Sequence, residues 1–482
     1  MSHSTSAATS SPTPSAPTEP LSILIIGSGI AGPTLATFLL QQSPSSSSST
    51  SSPPPPAPPV PKITLLERRP LHRISHGQNV DVRGAGLTII RKLGLEGAVR
   101  AASTGEKGVK WVDGRDRVWA AFGAGKEPEG GGDAGAGAGA PTADVEILRG
   151  RLAELCLGRL RDVSKGWGKG EGVEEVFGER VERLEEREGK VYVRFRGEGR
   201  ESCFDVVVGA DGLQSLTRRM VWGEEGEEER VKRLGAYGGF FSMPKSEGDD
   251  EWRRWFHADG RRGVMLRPDR ENGRTTVFMY VVNNKDARLR EVAAKGREDL
   301  QAQKDLLEQY FTGAGWECER VLSQMRTAKD FYYDMIGQVK MDAWSKGRVV
   351  LLGDAGYCAS PFSGMGTTLA LMGAYNLAGA LKRHPQDPGV AFAEYEAEMR
   401  PIVDRAQKLA PGMPWFFNPE TAWGVWALNC FVWLLQCSGL IIQTIKYLGP
   451  PAKKVAVKDY GFRNLPEWWL DGQMHIESKK AQ

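Results

Sequence analysis

Cysteine, histidine and net charge are what this chain has little of. Six cysteines and six histidines are spread over 482 residues, and no two cysteines stand in a C-x-x-C spacing. This argues against a disulfide-stapled scaffold or a zinc module and suits a reduced, intracellular, cytoplasmic setting. His72 and His76 stand four apart with no third ligand beside them, so no metal site is expected. Lys and Arg number 63 against 60 Asp and Glu, a net charge of +3 with no basic cluster, so nucleic acid is not an expected partner. Residues 1–20 are rich in Ser, Thr and Pro and have neither a basic n-region nor an apolar h-region. They read as a disordered tail, not a secretory signal. A G-x-S-x-G nucleophile elbow is missing too, as is any repeat at solenoid period.

What is present begins with "LSILIIGSGIAGPTLATFLL", which predicts a buried strand, a glycine turn and a helix. Gly27, Gly29 and Gly32 have the G-x-G-x-x-G spacing. The first glycine permits the tight turn, the second lets backbone approach a pyrophosphate, and the third allows close helix–strand packing. The helix N-terminus would aim free N–H groups at the phosphates. Such a unit needs an acidic residue about 20 positions on, at the end of its second strand. The next strand-like run, "KITLLERR", ends at Glu67, 40 positions past Gly27. Between them lies "SPSSSSSTSSPPPPAPPVP", 19 residues (43–61) that no core would accept. Without that stretch the interval is 21, so 43–61 reads as an exposed insertion between first helix and second strand.

Two further runs have an Asp just past an apolar strand, "CFDVVVGADGLQSLTRR" (203–219) and "GRVVLLGDAGYCASPFSGMGTTLALMGAYNLAGAL" (347–381). Open α/β sheets bind ligands at that position, although one such Asp alone would serve as a turn former or helix cap. Taken together, GSGIAG, ADGLQSLTR and GDAGYCASPFSGMG resemble the three motifs of the group A flavoprotein monooxygenases, the FAD-dependent family of para-hydroxybenzoate hydroxylase. The resemblance covers about residues 21–465. "SPFSGMGTTLALMGAYNLAGAL" and "YLGPPAKKVAVKDY" look most like the tetracycline-inactivating branch and its fungal relatives.

That resemblance implies an α/β (α+β two-domain) fold. A Rossmann-like FAD-binding domain would span 21–230 and 335–400, a mixed-sheet substrate domain 231–334, and a helical region 401–482. It implies FAD as cofactor, with NADPH (or NADH) as transient electron donor and O2 as co-substrate. The reaction would be hydroxylation of, or oxygen insertion into, a hydrophobic ring-bearing small molecule, secondary-metabolite chemistry by analogy. Gly27, Gly29 and Gly32 would hold the pyrophosphate, and Glu67, with Arg68 beside it, the adenosine ribose. Arg149 would contact the phosphate–ribityl region, with Arg151 as its competitor. Asp354 would bind ribityl hydroxyls, and Gly364, Gly366 and Thr367 would approach the ring from a helix N-terminus whose positive end favours an anionic reduced flavin. Asp211 and Gly212 would touch FAD and assist NADPH; Arg218 belongs to the same motif, with a structural role equally open. Competing readings are a flavin halogenase, which lacks its W-x-W-x-I-P motif here, a flavin-dependent reductase of isoprenoid-type substrates, an antibiotic-inactivating monooxygenase, and a non-catalytic flavin-binding scaffold.

Between 231 and 334, short alternating segments predict antiparallel strands. Phe240, Met265 and Met279 could face a substrate or simply fill core. Residues 123–143 read as a second flexible insertion and 223–230 as a solvated loop. The stretch 421–445 has no charged residue over 25 positions, which admits membrane association. Asn429, Gln436 and Gln443 recur every seven residues, however, a narrow polar stripe that predicts a helix packed on the protein. Nothing in the sequence gives the oligomeric state.

Overall fold

The structure, a computed structural model, describes residues 19–41, 60–71, 77–123, 145–167, 172–197, 199–438 and 455–470. The 1–18 tail, most of the 43–61 and 123–143 insertions, His72 and His76, and 439–445 lie outside the described residues.

Ser22–Ile26, the first apolar run, is central to a six-stranded sheet. The order there is Ser345–Lys346, Val349–Leu351, Val206–Gly209, Ser22–Ile26, Lys62–Glu67 and Val173–Phe177, parallel except for the first pair. Ile23, Leu24 and Ile25 are fully buried, as expected for a strand covered on both faces. Lys62–Glu67 pairs in parallel directly beside it, so Glu67 and the glycine turn end on the same edge of the sheet. The helix Ala31–Leu40 is buried along its whole length and packs against the helix Gly366–Arg383. Phe38 and Tyr375 meet there edge to face at 5.1 Å. Burial of side chains such as Phe38 and Leu39 stabilises by ~1.5–3 kcal/mol each.

A seven-stranded sheet stands beside this unit, in the order Tyr332–Val339, Val231–Pro244, Arg274–Val282, Arg262–Asp269, Arg253–Ala258, Gly108–Val112 and Val118–Gly123. It draws strands from beyond the expected 231–334 span. Two strands come from 108–123, because Arg253–Ala258 offers a free edge on which Gly108–Val112 pairs in parallel. The period of two decides which residues face which side. Phe241, Val264, Leu266, Val277 and Met279 point into a core closed by the helices Ala287–Ala294, Leu300–Phe311 and Cys318–Thr327. Their neighbours Phe240, Ser242, Met265, Arg267, Thr276 and Phe278 point to the other side, into a cavity. Met279, fully buried, is therefore core and not pocket lining.

The C-terminal region is helical only in part. The helix Pro388–Ala406 runs back over Gly366–Arg383, and Ala422–Cys437 forms a second helix, but 455–470 has no regular secondary structure. That last segment lies along the back of the first unit, where Arg159 donates to the carbonyl of Pro466 at 2.8 Å. Helix Ala422–Cys437 packs Leu428 and Val432 on Trp111 and Ala120. Of its polar stripe, Asn429 is buried at 4% exposed, Gln436 is exposed but accepts the Ala121 N–H at 2.9 Å, and Gln443 lies outside the described residues. Trp423, Trp426, Trp433 and Leu434 point outward and are exposed. Among the described residues no helix is long and apolar enough to cross a membrane.

Candidate active site

A single cavity of about 1010 Å³ runs from the glycine turn to the underside of the seven-stranded sheet. Its dinucleotide end is built as the glycine spacing requires. Gly27 has φ +117°, and a Cβ there would sit 2.3 Å from the carbonyl oxygen of Ala210. A Cβ on Gly32 would sit 2.1 Å from the carbonyl oxygen of Gly27. Gly29 is different, since a Cβ there would meet no protein atom within 4 Å, and the residue lines the cavity. Only something outside the protein would explain a bare backbone there, and a pyrophosphate fits.

Glu67 closes the turn and is 5% exposed. Its Oε2 accepts the Ser28 N–H at 3.0 Å, and its Oε1 accepts the backbone N–H and Nε of Arg69 at 3.0 and 3.1 Å. Arg68 is exposed and does not line the cavity, though its charge reaches Asp334. Burial holds the Asp334 carboxyl above the usual range against the opposing charges of Arg149 and Arg68. Arg149 opens the helix Arg149–Ser164, its N–H donating to Gln78 at 2.9 Å. Its side chain lines the cavity and makes no ion pair among the described residues. Arg151 points away and pairs with Glu154 and Glu271 at 3.1 and 3.0 Å.

Asp354, Gly364, Gly366 and Thr367 all line the cavity. Gly364 has φ +60°, and the first turn of the helix Gly366–Arg383 opens its N–H groups to the same space. Burial pushes the Cys358 thiol well up beside Asp354, so it stays protonated.

The Asp-Gly motif divides. Gly212 and Ala210 line the cavity, but both carboxylate oxygens of Asp211 bond to the next helix. Asp211 accepts from Ser215 Oγ at 2.5 Å and from the Thr217 N–H and Oγ1 at 3.0 and 3.1 Å. Here the helix-capping role takes the side chain, and the glycine meets the cavity. Arg218, fully buried, is a tie. It pairs with Glu227 and donates to the carbonyls of Leu213 and Ala355 at 2.8 and 2.7 Å, joining the Asp-Gly loop to the Gly-Asp loop. Glu227 starts a short helix, Glu227–Arg230, where a solvated loop was expected.

At the far end, Phe240 stacks between Phe278 (4.2 Å) and Tyr332 (4.8 Å), a flat aromatic wall joined by Trp255, Met265 and Met413. Beside it on the same sheet face are Arg253, Arg267 and Thr276, and Asn79, Asp81 and Arg83 also line the cavity, polar residues that motif reasoning missed. The Gly- and Asp-bearing run "GQNVDVRGAG" (77–86) was the one local signal for three of them.

A turn glycine, Gly29, that bares backbone to a large cavity, an acid closing the turn and a helix N-terminus farther along define a dinucleotide-binding oxidoreductase with an adjoining small-molecule pocket. A family model described as "FAD binding domain" matches residues 21–410, and the chain belongs to that family. It is 35% identical over 394 residues to an FAD-dependent monooxygenase of Sarocladium schorii, covering 80% of this chain and 86% of the relative. A monooxygenase of Cercospora beticola is 32% identical over 398 residues, covering 81% of this chain and 90% of that one. The crystal structure of a tetracycline destructase matches with TM-score 0.66 and 28% identity, covering 92% of this chain and 99% of that chain. FAD is thus the cofactor, and the chain is an FAD-dependent oxidoreductase of the monooxygenase class.

Proposed function

We propose that this monooxygenase hydroxylates, or inserts oxygen into, a hydrophobic ring-bearing small molecule of secondary metabolism, with NADPH as electron donor. The observation that carries the reading is the continuity of one cavity from the open face of Gly29 to the Phe240–Phe278–Tyr332 wall. FAD, when bound, supplies the redox chemistry and the use of O2. The chain's own residues do the rest. Gly29 and the N–H groups at Ala31 would hold the pyrophosphate, in a turn that Gly27 and Gly32 allow to close. Glu67 would reach the ribose, Arg149 the phosphate–ribityl region and Asp354 the ribityl hydroxyls. Gly364, Gly366 and Thr367 would present backbone and the positive helix end to the isoalloxazine. The aromatic wall orients a flat substrate and keeps water from the reacting atoms. An intracellular location suits the six unpaired cysteines.

The test is the visible spectrum of the purified protein before and after anaerobic NADPH, and again after air. A flavin band that bleaches with NADPH and returns with air is expected. A protein that neither carries nor takes up FAD would overturn the proposal.

A further inference from the structure

The polar wall beside the aromatic slot is layered. Arg253 and Arg267 line the cavity in front, while Glu106 and Glu146 stand behind them, their side chains 0% and 2% exposed. Arg267 pairs with Glu106 at 3.0 Å and also with Glu146; Arg253 pairs with the same two at 2.7 and 3.3 Å. Glu146 Oε1 also accepts Asn79 Nδ2 at 2.6 Å and Thr104 Oγ1 at 3.0 Å. Thr276 Oγ1 donates to the other end of that amide, Asn79 Oδ1, at 2.7 Å. Beside them Arg83 pairs with Asp81 at 2.9 Å. Three carboxylates thus face three guanidinium groups, drawn from five separate stretches of chain.

Burying six charges is a poor route to stability, since desolvation consumes most of the Coulombic gain. Their placement along the cavity calls for another reason. Among the described residues, Arg253 Nε and Asp81 Oδ1 in this layer are buried without a hydrogen-bond partner, and Arg253 is only 9% exposed.

We infer that Glu146 is a positioning residue that sets the charge of this wall, taking up a proton when the cavity receives an oxyanion borne on a flat ring. The inference rests on the reading of the cavity as the substrate site. With Glu146 ionised the six charges cancel. With Glu146 protonated the wall has one positive charge in excess, held on arginines that face the slot, which matches one anionic oxygen. The proton comes from solvent when the ligand enters already ionised. When it enters as a neutral ring hydroxyl, its O–H proton leaves to solvent, Glu146 takes one up, and the oxygen stays as the anion with no net uptake. Electrostatics favour Glu146 for the task. Burial, with Glu106 and Asp81 adding to it against Arg267 and Arg253, raises its carboxyl to about 7. Burial also pushes the Glu106 carboxyl up, but Arg253 and Arg267 outweigh it and hold that group ionised. Asp81 is held low in the same way by Arg83, Arg253 and Arg267.

Calorimetry of salicylate binding to the FAD-loaded enzyme at pH 8, in two buffers of different ionisation enthalpy, counts the protons taken up. Salicylate should bind at least tenfold tighter than benzamide, a flat analogue with no ionisable group, and take up a substantial fraction of one proton. Glu146→Gln should retain salicylate binding but take up none, and Glu146→Asp should restore uptake. Equal uptake by wild type and Glu146→Gln would overturn the inference, as would no uptake by wild type or a preference for benzamide. The wild-type count alone decides if Glu146→Gln fails to fold. Binding of neither compound, in an enzyme whose flavin still cycles with NADPH and air, would overturn the oxyanion inference and leave the monooxygenase reading standing.

Discussion

Gly29 and Gly32 stand three residues apart in one motif, yet the structure assigns them opposite physical jobs, and substitution should separate the two. A methyl group on Gly32 would sit 2.1 Å from the Gly27 carbonyl oxygen, far inside contact distance, with backbone as the obstacle. Relief requires helix and turn to move apart, an overpacking cost of ~1–3 kcal/mol that the ~1 kcal/mol helix-propensity gain of alanine only partly offsets. A methyl on Gly29 meets nothing within 4 Å. Without flavin, Gly29→Ala should therefore melt within ~0.5 kcal/mol of wild type, as an unobstructed substitution does. With flavin the order changes. A ligand at 100 to 1,000 times its Kd stabilises the native state by ~2.7–4.1 kcal/mol. Gly29→Ala should forfeit most of that increment, because its methyl enters the space the cavity keeps for the pyrophosphate. The assay is thermal melting with and without saturating FAD, alongside flavin content on purification. Gly32→Ala should melt early in both conditions, and Gly29→Ala early only where wild type gains from FAD. If Gly29→Ala keeps the full FAD increment, or falls as far as Gly32→Ala in its absence, the division of labour is wrong.

Arg218→Lys should be nearly as damaging as Arg218→Ala, because one ammonium cannot reproduce a fork that binds Glu227 and two carbonyls at once. Leaving the half-buried Glu227 and the buried carbonyls underpaired should cost ~3 kcal/mol, and urea unfolding that finds Arg218→Lys within 1 kcal/mol of wild type would refute it. His257 is fully buried, stacked 4.8 Å from Trp111, and burial lowers its ring to about 3. The folded state thus keeps it neutral while the unfolded chain protonates it near 6.5, so stability present above pH 6.5 drains away between pH 6.5 and about 3. Relative to wild type, His257→Asn should flatten the stability–pH curve in that window by ~1.4 kcal/mol per pH unit; parallel curves would count against the buried neutral ring.

The sequence was most legible where the chemistry is local. The glycine turn lies within six positions, and the Gly-Asp loop and the helix N-terminus behind it fit within about fifteen, so spacing pointed to the first and the family resemblance to the second, and Gly29, Asp354, Gly364, Gly366 and Thr367 line one cavity. Glu67 became legible once the Ser/Pro stretch was set aside, and the parallel pairing of Ser22–Ile26 with Lys62–Glu67 brings it to the turn. Asp211 shows where local reading stops. Its position past a strand end fits a ligand contact and a helix cap equally well, and only the positions of Ser215 and Thr217 decide for the cap. Met279 and Phe278 differ by one residue and face opposite sides of the sheet, so their assignment required the register against Val264 and Met265.

The charged wall was illegible for a stronger reason. Its members stand at 79–83, 104–106, 146, 253 and 267, and each alone has the look of an ordinary surface residue on a short strand or turn. Strand pairing brings them together: Asn79–Val82 pairs with Val145–Leu148, and Arg253–Ala258 lies between Gly108–Val112 and Arg262–Asp269. A dinucleotide motif needs residues close in sequence, because one turn and one helix end must meet one pyrophosphate. A substrate wall has no such need. It draws on any strand that reaches the cavity, so its chemistry can change by single substitutions while the cofactor motifs keep their spacing. On that argument the cofactor is readable from the chain, whereas the substrate is written in the register of a sheet.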